Sequence, residues 1–428
     1  MGVEPVLTRN MKPGRTPVSL ADYEKAGGYS ALRTALTRYS PPEIVKLVTD
    51  SNLRGRGGAG FPTGRKWAAL VPAERSRRPR LLMVNFDEME PGTYKDRFLV
   101  EGDPHQLIEG TLIAGYACQA DIAYIFVRGE YVTPIRALEQ ALAEAEQAGY
   151  VGRNILGRGF DFEIRLHTSA GRYMCGEETG LLNAIEGKPA NPRTKPPYPV
   201  TSGAWGLPTV INNVETLCCV PHIVERGAEW FRGLGKAKDA GTKIYGMSGR
   251  VKRPGSWELP IGTTLRELLT EHAGGMQEGV GFRAALPGGA STMFLDVAQM
   301  DVPLEYESLA QINCFFGTGS AIVLDDRTCV VGMVHNLQRF FARESCGWCT
   351  PCREGLPWVR DLLGGLEEGR GRPGDLELLE DQAHYIHGNT FCALALGAMV
   401  SLESSLQKFR ADYEEHLRAP RCPWKDKR

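Results

Sequence analysis

The hydrophobic period changes several times along the chain. In residues 20–50 the segments ADYEKAGGYSALRTAL and PPEIVKLVTDS place apolar side chains at helical spacing, and Ser40-Pro41 supplies a cap and a first-turn proline for the second. From about residue 53 to 230, short apolar runs such as LLMVNF and IAYIFVRG alternate with helical patterns such as TPIRALEQALAEAEQAG. That alternation predicts an α/β layer. Proline and glycine then thicken in GKPANPRTKPPYPVTSGAWGLPT, residues 187–209, which reads as a functional loop without regular structure. Residues 242–325 open with TKIYGMSGRVKRPGSWELPIGTTLRELLTEHAGG, a hairpin pattern followed by a short helix, which fits a small ubiquitin-like β-grasp module. The last hundred residues carry four amphipathic helical patterns with short connections and predict a four-helix bundle. No internal repeat is visible, which argues against a solenoid.

The expected units are therefore a helical entry segment (1–52), an α/β domain (53–240), a β-grasp module (241–328) and a helical bundle (329–428). A length of 428 residues suits two to four packed cores. With 50 basic against 51 acidic residues, net charge points to neither nucleic acid nor an anionic membrane. No run of about 18 apolar residues occurs, and the N-terminus is charged and proline-bearing where a signal peptide needs an apolar stretch. The expectation is a cytoplasmic protein attached to a membrane only through partners. Eleven cysteines, most in apolar settings such as ETLCCVPHIV, read as buried thiols rather than a disulfide framework.

One group of thiols stands apart. In ESCGWCTPCREG, Cys346, Cys349 and Cys352 are spaced by two residues, which lets successive thiolates face different corners of a cubane iron–sulfur cluster. Three thiolates leave one corner open, and Cys392 in HGNTFCALALG, at the start of the last helical pattern, is the best fourth ligand. The competing readings are a structural zinc site to which His384 or His387 contributes, or three unliganded thiols. Trp348 and its aliphatic neighbours read as shielding.

The second constellation is GRGGAGFPTGRKW, residues 55–67, whose glycines let backbone approach a bulky ligand while Lys66 offers a charge for phosphate. It departs from the G-x-G-x-x-G fingerprint, so any dinucleotide fold would be atypically Rossmann-like. VNFDEMEPGTYKDR places Asn85, Asp87, Glu88 and Glu90 just after a buried-strand pattern, AGRYMCGEETGLLNAIEG carries paired Glu177 and Glu178 at a helix mouth, and INNVET adds two amides. Jointly these amides, hydroxyls and carboxylates suit a flavin, a ribose and a pyrophosphate. Carboxylates that hydrogen-bond ribose hydroxyls also repel a 2′-phosphate, which favours NADH over NADPH.

In this order, GRGGAGFPTG, NFDEMEPGTYKDR, GRYMCGEETGLLNAIEG, NPRTKPPYP, INNVETL and ESCGWCTPCREG resemble the NADH-binding, FMN-carrying subunit of respiratory NADH:quinone oxidoreductase, complex I, over nearly the whole chain. The resemblance implies one noncovalent FMN, one NADH site and one [4Fe–4S] cluster. It implies FMN contacts from Gly55, Gly57, Lys66, Asn85, Asp87, Gly176, Glu177, Asn212, Asn213 and Thr216. It places Phe61, Glu88, Glu90, Tyr173, Glu178, Lys195 and Tyr198 on the NADH side, with cluster ligands Cys346, Cys349, Cys352 and Cys392. Tyr198 and Ala69 stand where some members carry phenylalanines against the adenine, which leaves stacking to Phe61 and Tyr198. The implied chemistry is hydride transfer to the flavin and single-electron steps to the cluster, with no catalytic acid–base side chain and with Glu90 and Glu178 as modulators. The implied partners are the thioredoxin-like [2Fe–2S] subunit and the large iron–sulfur subunit of complex I, on the cytoplasmic face of the inner membrane. Related diaphorase subunits of NAD-dependent hydrogenases and formate dehydrogenases share these motifs; they often carry further fused iron–sulfur modules, which are not expected here. A zinc-binding assembly scaffold is the reading from a different class.

Overall fold

The computed structural model describes residues 4–70 and 78–425, so the extreme ends of the 1–52 and 329–428 units lie outside the described residues. Two four-stranded sheets organise it. The first comprises β1 (Leu81–Phe86), β2 (Ile122–Val127), β3 (Glu163–Thr168) and β4 (Thr209–Asn213), all parallel in the order β3-β2-β1-β4. Apolar side chains of β1 alternate between two cores. Leu82, Val84 and Phe86 enter the core built on helices Pro104–Ala117 and Val214–Arg226, whereas Leu81 and Met83 meet Leu181 and Leu182 of helix Glu178–Ile185. A strand buried on both faces needs apolar residues at successive positions, which is why LLMVNF reads as a continuous run.

The entry helices share the first of those cores. Leu32 of Ser30–Arg38 and Ile44 and Val48 of Pro41–Asp50 lie in one cluster with Leu112 and Val220, so no core boundary falls at residue 52. Ser40 forms the expected cap: its backbone N–H donates to Glu43 Oε2 at 2.7 Å in a capping box, with Pro41 in the first turn.

The second sheet is mixed. β5 (Thr242–Gly249) and β6 (Gly255–Pro260) form an antiparallel hairpin, a short helix from Leu265 to His272 follows, and β7 (Phe282–Leu286) and β8 (Ser320–Asp325) complete the order β6-β5-β8-β7. β5 and β8 are parallel, and β7 runs antiparallel to β8. One face packs Tyr245, Met247 and Val323 on Leu265 and Leu268; Ala284, Leu286 and Leu324 turn to the C-terminal helices.

Those helices are Val330–Glu344, Thr350–Glu367, Asp375–Ile386, Ala393–Lys408 and Arg410–Arg418, five where the sequence pattern predicts four. The last predicted helix breaks at Phe409, with φ −125°. Its ring packs edge-on against Phe294 at 6.1 Å, and the change of direction lets Tyr413 and His416 be buried. Among the described residues no helix is long and apolar enough to cross a membrane.

Between the sheets lies a buried charge network. Lys95 Nζ is 2.7 Å from Asp96 and 3.0 Å from Glu215, and Lys243 Nζ reaches Glu215 at 3.1 Å. Glu215 also accepts from the Ile244 N–H at 2.8 Å, and Arg56 donates to the carbonyls of Ala240 and Thr242. Desolvation costs several kcal/mol per ion, so such charges are tolerated only while each has its partners. Burial pushes the Glu215 carboxyl up, but Lys243, Lys95 and Arg56 outweigh it and hold it at about 2. Burial brings Lys243 down to about 8, whereas Asp96 and Glu215 keep Lys95 charged against its own burial.

Replacing Glu215 with glutamine leaves two buried ammonium groups without their shared counterion, and stability is expected to fall by about 3–5 kcal/mol, read from the urea midpoint. Because the folded value lies below the unfolded 4.5, the carboxylate's contribution is complete above about pH 4.5 and is lost as pH falls toward 2. That acid-dependent component should be missing from the Glu215→Gln variant. An unchanged midpoint would refute the network's role.

Candidate functional site

Strand order places the candidate site. From β1 the chain runs outward through β2 and β3, then returns to the other side of β1 as β4, so the loops leaving β1 and β4 diverge and open a crevice at their carboxyl ends. Asn85 stands in register with Asn213, and Val84 with Asn212. Asn85 Nδ2 donates to the carbonyls of Cys175 and Gly176, both at 3.2 Å, and its Oδ1 accepts from the Asp87 N–H at 3.1 Å. The amide thus fixes the turn Tyr173–Gly176 against the strand end. Asp87 takes a hydrogen bond from Ser169 Oγ at 2.7 Å through one oxygen, while the other is buried without a protein partner. Burial, only partly opposed by Ser169 and Arg128, pushes its carboxyl up to about 6.

The glycine-rich loop closes the other side of the crevice. A Cβ on Gly57 would lie 3.2 Å from Asn213 Cβ, so the loop backbone rides directly on the end of β4. Gly60, at φ +66°, leaves no room for a side chain beside the Tyr306 ring, whose hydroxyl donates to the Gly55 carbonyl at 2.7 Å. The Arg56 N–H donates to Thr216 Oγ1 at 2.8 Å, holding the loop over the start of helix Val214–Arg226. Lys66 donates to the Ile211 carbonyl at 3.0 Å and lies 3.6 Å from Glu178; burial lowers its pKa and Glu178 opposes the shift. Asn212 and Asn213 are partly engaged by protein: Trp67 donates to Asn212 Oδ1 at 3.0 Å, and Asn213 Nδ2 donates to Asp96 at 2.7 Å.

The acidic residues divide by task. Glu88, expected on the nucleotide side, caps helix Lys95–Gly102 instead: it accepts from the N–H groups of Asp96 (2.9 Å) and Arg97 (3.2 Å) and from the Tyr131 hydroxyl (3.1 Å). Its burial beside Asp96 pushes it up to about 7. Tyr173, likewise expected there, has its hydroxyl on Glu90 at 2.6 Å and its ring edge-on to Phe340 at 5.1 Å. Glu90 also accepts from the N–H and Oγ of Ser291, both at 2.7 Å, tying the loop after β1 to the second sheet's domain. Glu177 caps helix Glu178–Ile185, accepting from the N–H groups of Thr179 and Gly180 at 2.9 and 2.8 Å. Glu178 pairs with Lys195 at 2.5 Å; these side chains and Lys66 form a charged rim. Phe61 and Tyr198, 50% and 57% exposed, are free of core packing and present faces on which a planar ring can stack. No sequence signal marked Ser169, Ser291 or Lys243, because each acts on a partner distant in the chain.

The cysteines gather at helix ends. Cys349 precedes helix Thr350–Glu367, Cys352 is buried in its first turn, and Cys392 precedes helix Ala393–Lys408. Burial pushes the Cys352 thiol up to about 12; Ser345 opposes this, and the neighbouring Cys349, Cys392 and Cys346 add to it. Cys392 rises to about 11, again by burial first, with Cys346, Glu177 and Cys349 as charged neighbours. Cys346, Cys349 and Cys392 pack, half-buried, against the same hydrophobic cluster that contains Cys352. Trp348 stacks on Phe391 at 5.1 Å beside the cysteine loop, both half-exposed. His387 is engaged with Glu403 at 3.0 Å, and the exposed His384 packs edge-on to its neighbour Tyr385.

The crevice and the cysteine-bearing helix ends point to an iron–sulfur flavoprotein, and comparison with known proteins agrees. Residues 48–222 match the Nuo51 FMN-binding domain, residues 244–294 the SLBB domain, and residues 332–416 the NADH-ubiquinone oxidoreductase-F iron–sulfur binding region. The chain is 54% identical over 415 residues to the F subunit of NADH-quinone oxidoreductase from Escherichia coli K12, covering 97% of this chain and 93% of that one. It is 51% identical over 421 residues to one of the NADH-quinone oxidoreductase F subunits of Rhizobium meliloti, with coverages of 98% and 99%. Among solved structures, an NAD+-reducing [NiFe]-hydrogenase aligns with a TM-score of 0.82 and 35% identity, covering 97% of this chain and 67% of that one.

The class is thus an NADH-oxidising flavoprotein that holds FMN and a [4Fe–4S] cluster. The chain belongs to the family of NADH-quinone oxidoreductase F subunits.

Proposed function

We infer that this chain is the electron-input subunit of a complex I-type assembly, taking hydride from NADH at the β1/β4 crevice and delivering single electrons to a cluster on Cys346, Cys349, Cys352 and Cys392. One observation carries the reading: the turn 173–177 belongs to both sites. Asn85 grips its carbonyls on the crevice side, while the Tyr173 N–H donates at 3.3 Å to Glu344, two residues before Cys346.

The residues fit FMN. Asp87 keeps a buried carboxylate oxygen without a protein partner, suited to a ribityl hydroxyl, and Gly176 has open space where a Cβ would stand. The loop Gly57–Gly60, with Gly57 on Asn213, brings backbone close enough to offer N–H groups to a phosphate, with Lys66 adding charge. Gly55, Glu177, Asn212 and Thr216 complete this lining. FMN, when bound, converts the two-electron chemistry of NADH into one-electron steps. The protein orients the rings and excludes water; no side chain need move a proton. NADH is proposed to stack on Phe61 and Tyr198, with Glu178 and Lys195 at its ribose, and with Glu90 and Tyr173 acting by bracing the pocket wall. Glu88 supports the same wall through the helix that it caps.

The order β6-β5-β8-β7 with its intervening helix supports a β-grasp reading of residues 241–328, and the five C-terminal helices an elaborated bundle over 329–428. Units 1–52 and 53–240 share one core and are proposed to act as a single FMN- and NADH-binding body. The proposed partners are a thioredoxin-like [2Fe–2S] subunit and a large iron–sulfur subunit, docked at the cytoplasmic face of the inner membrane. The structural likeness to an NAD+-reducing [NiFe]-hydrogenase supports the second reading, a diaphorase subunit. Pull-down of the native protein separates the two: membrane-arm subunits favour the first, and hydrogenase subunits overturn it.

Three measurements bear on the site. Gly176→Ala should fold with stability within about 0.5 kcal/mol of the parent, because its methyl meets open space, yet retain flavin poorly in equilibrium dialysis. Undiminished flavin retention would remove Gly176 from the FMN wall. Glu178→Gln releases Lys195 and Lys66 from a shared carboxylate, so the NADPH-to-NADH ratio of kcat/KM should rise about threefold to tenfold; an unchanged ratio counts against this placement. Cys392→Ala should abolish the reduced-cluster electron paramagnetic resonance signal while FMN stays bound. A full [4Fe–4S] signal in that variant would mean another ligand.

A further inference from the structure

A second group of ligand-type side chains lies in the C-terminal helices and takes no part in the flavin or cluster sites. Cys329, Glu367, His416 and Cys422 bring one ligand atom each to within 4.8 Å of all the others. They come from the residue before helix Val330–Glu344, the end of Thr350–Glu367, helix Arg410–Arg418 and the chain beyond it. Cys329 Sγ is 3.0 Å from Glu367 Oε1 and 3.3 Å from His416 Nε2, and His416 Nε2 is 3.0 Å from the same Glu367 oxygen. His416 is fully buried, and both cysteines are nearly so.

Hydrogen bonds from outside the group orient its members as ligands. His416 Nδ1 faces the Asp412 carbonyl at 2.7 Å, which can only accept, so Nδ1 carries a proton and Nε2 points into the group. Nε2 thus lies against a carboxylate oxygen and a sulfur, which places imidazole, carboxylate and thiol around one point. Fixing a ligand imidazole through its far nitrogen is the usual outer-shell device of metal sites. Cys329 precedes a 15-residue helix and its sulfur accepts from the Gly332 N–H at 3.2 Å, which holds it in place in the group. The Trp424 ring stacks on His416 at 5.5 Å and shields it, and the Cys422 N–H donates to the Glu367 carbonyl at 3.1 Å.

We propose that Cys329, Cys422, His416 and Glu367 form a mononuclear tetrahedral site for a zinc-class divalent cation, which fastens the C-terminal tail to the iron–sulfur helices. Two thiolates, an imidazole and a carboxylate match the donor preference of zinc. Tetrahedral zinc separates its ligand atoms by about 3.3–3.8 Å, so the contacts among Cys329, Glu367 and His416 would open slightly on loading. Binding releases the two thiol protons to solvent. The site stands independently of the flavin reading.

The test uses the full chain with its complete iron and flavin complement, so that the cluster thiols are occupied. After incubation with zinc and gel filtration, about one zinc per chain is expected, with X-ray absorption at the zinc edge showing two sulfur ligands at about 2.3 Å and two nitrogen or oxygen ligands at about 2.0–2.1 Å. Cys422→Ser and His416→Gln should each lower retained zinc at least tenfold. Less than about a tenth of an equivalent in the parent protein overturns the proposal. So does an all-sulfur shell, a Cys329–Cys422 disulfide in the purified protein, or zinc indifferent to both substitutions. The edge spectrum of the parent decides even if a variant fails to fold.

Discussion

A carboxylate removed from water, Glu215, joins the two sheets. It sits in the first turn after β4, and its oxygens are shared by Lys95 from the helix after the acidic motif, Lys243 from β5 and the backbone of Ile244. A buried charge tolerates little displacement of its partners, because each lost contact exposes a desolvation cost of several kcal/mol. The relative placement of β4, helix Lys95–Gly102 and the mixed sheet is therefore tightly set. Asn213 bonds to Asp96 in the same network, and Gly57 rests on Asn213, so the glycine-rich loop inherits its position from buried charges.

From that platform the chain builds one short turn with two faces. Residues 173–177 are fastened to β1 by Asn85, to the loop after β1 by the Tyr173–Glu90 bond, and to the cysteine-bearing helices by the Tyr173 N–H on Glu344 at 3.3 Å. A flavin and an iron–sulfur centre need a fixed separation more than they need reactive side chains, since the cofactors carry the electron chemistry. The abundance of carboxylates around the crevice is then largely structural: Glu88 and Glu177 cap helices, and Glu90 braces an interface. Glu178, paired with lysines at the rim, retains the character of a recognition group.

Much of this was legible along the chain. LLMVNF and IAYIFV read as buried parallel strands because both faces of such strands demand apolar residues, and Ser40-Pro41 read as a helix start because a cap is a local bond between neighbours. The cysteine spacing announced a metal centre for a similarly local reason. The break at Phe409 was not legible, since its cause is a ring packed on Phe294 over a hundred residues earlier.

The sequence by itself determined the element types, the cofactor classes and the family, all of which rest on period, spacing and short motifs. Only the tertiary structure decided which side chain does what. Glu88 and Glu178 are indistinguishable in a string, but one meets the N–H groups of a helix start and the other two ammonium groups at a rim. Cys329 and Cys422 look like two more apolar-context thiols until His416 and Glu367 arrive beside them. Burial and the nearest charge set the role of an ionisable group, and both are properties of three-dimensional neighbours rather than of residue order.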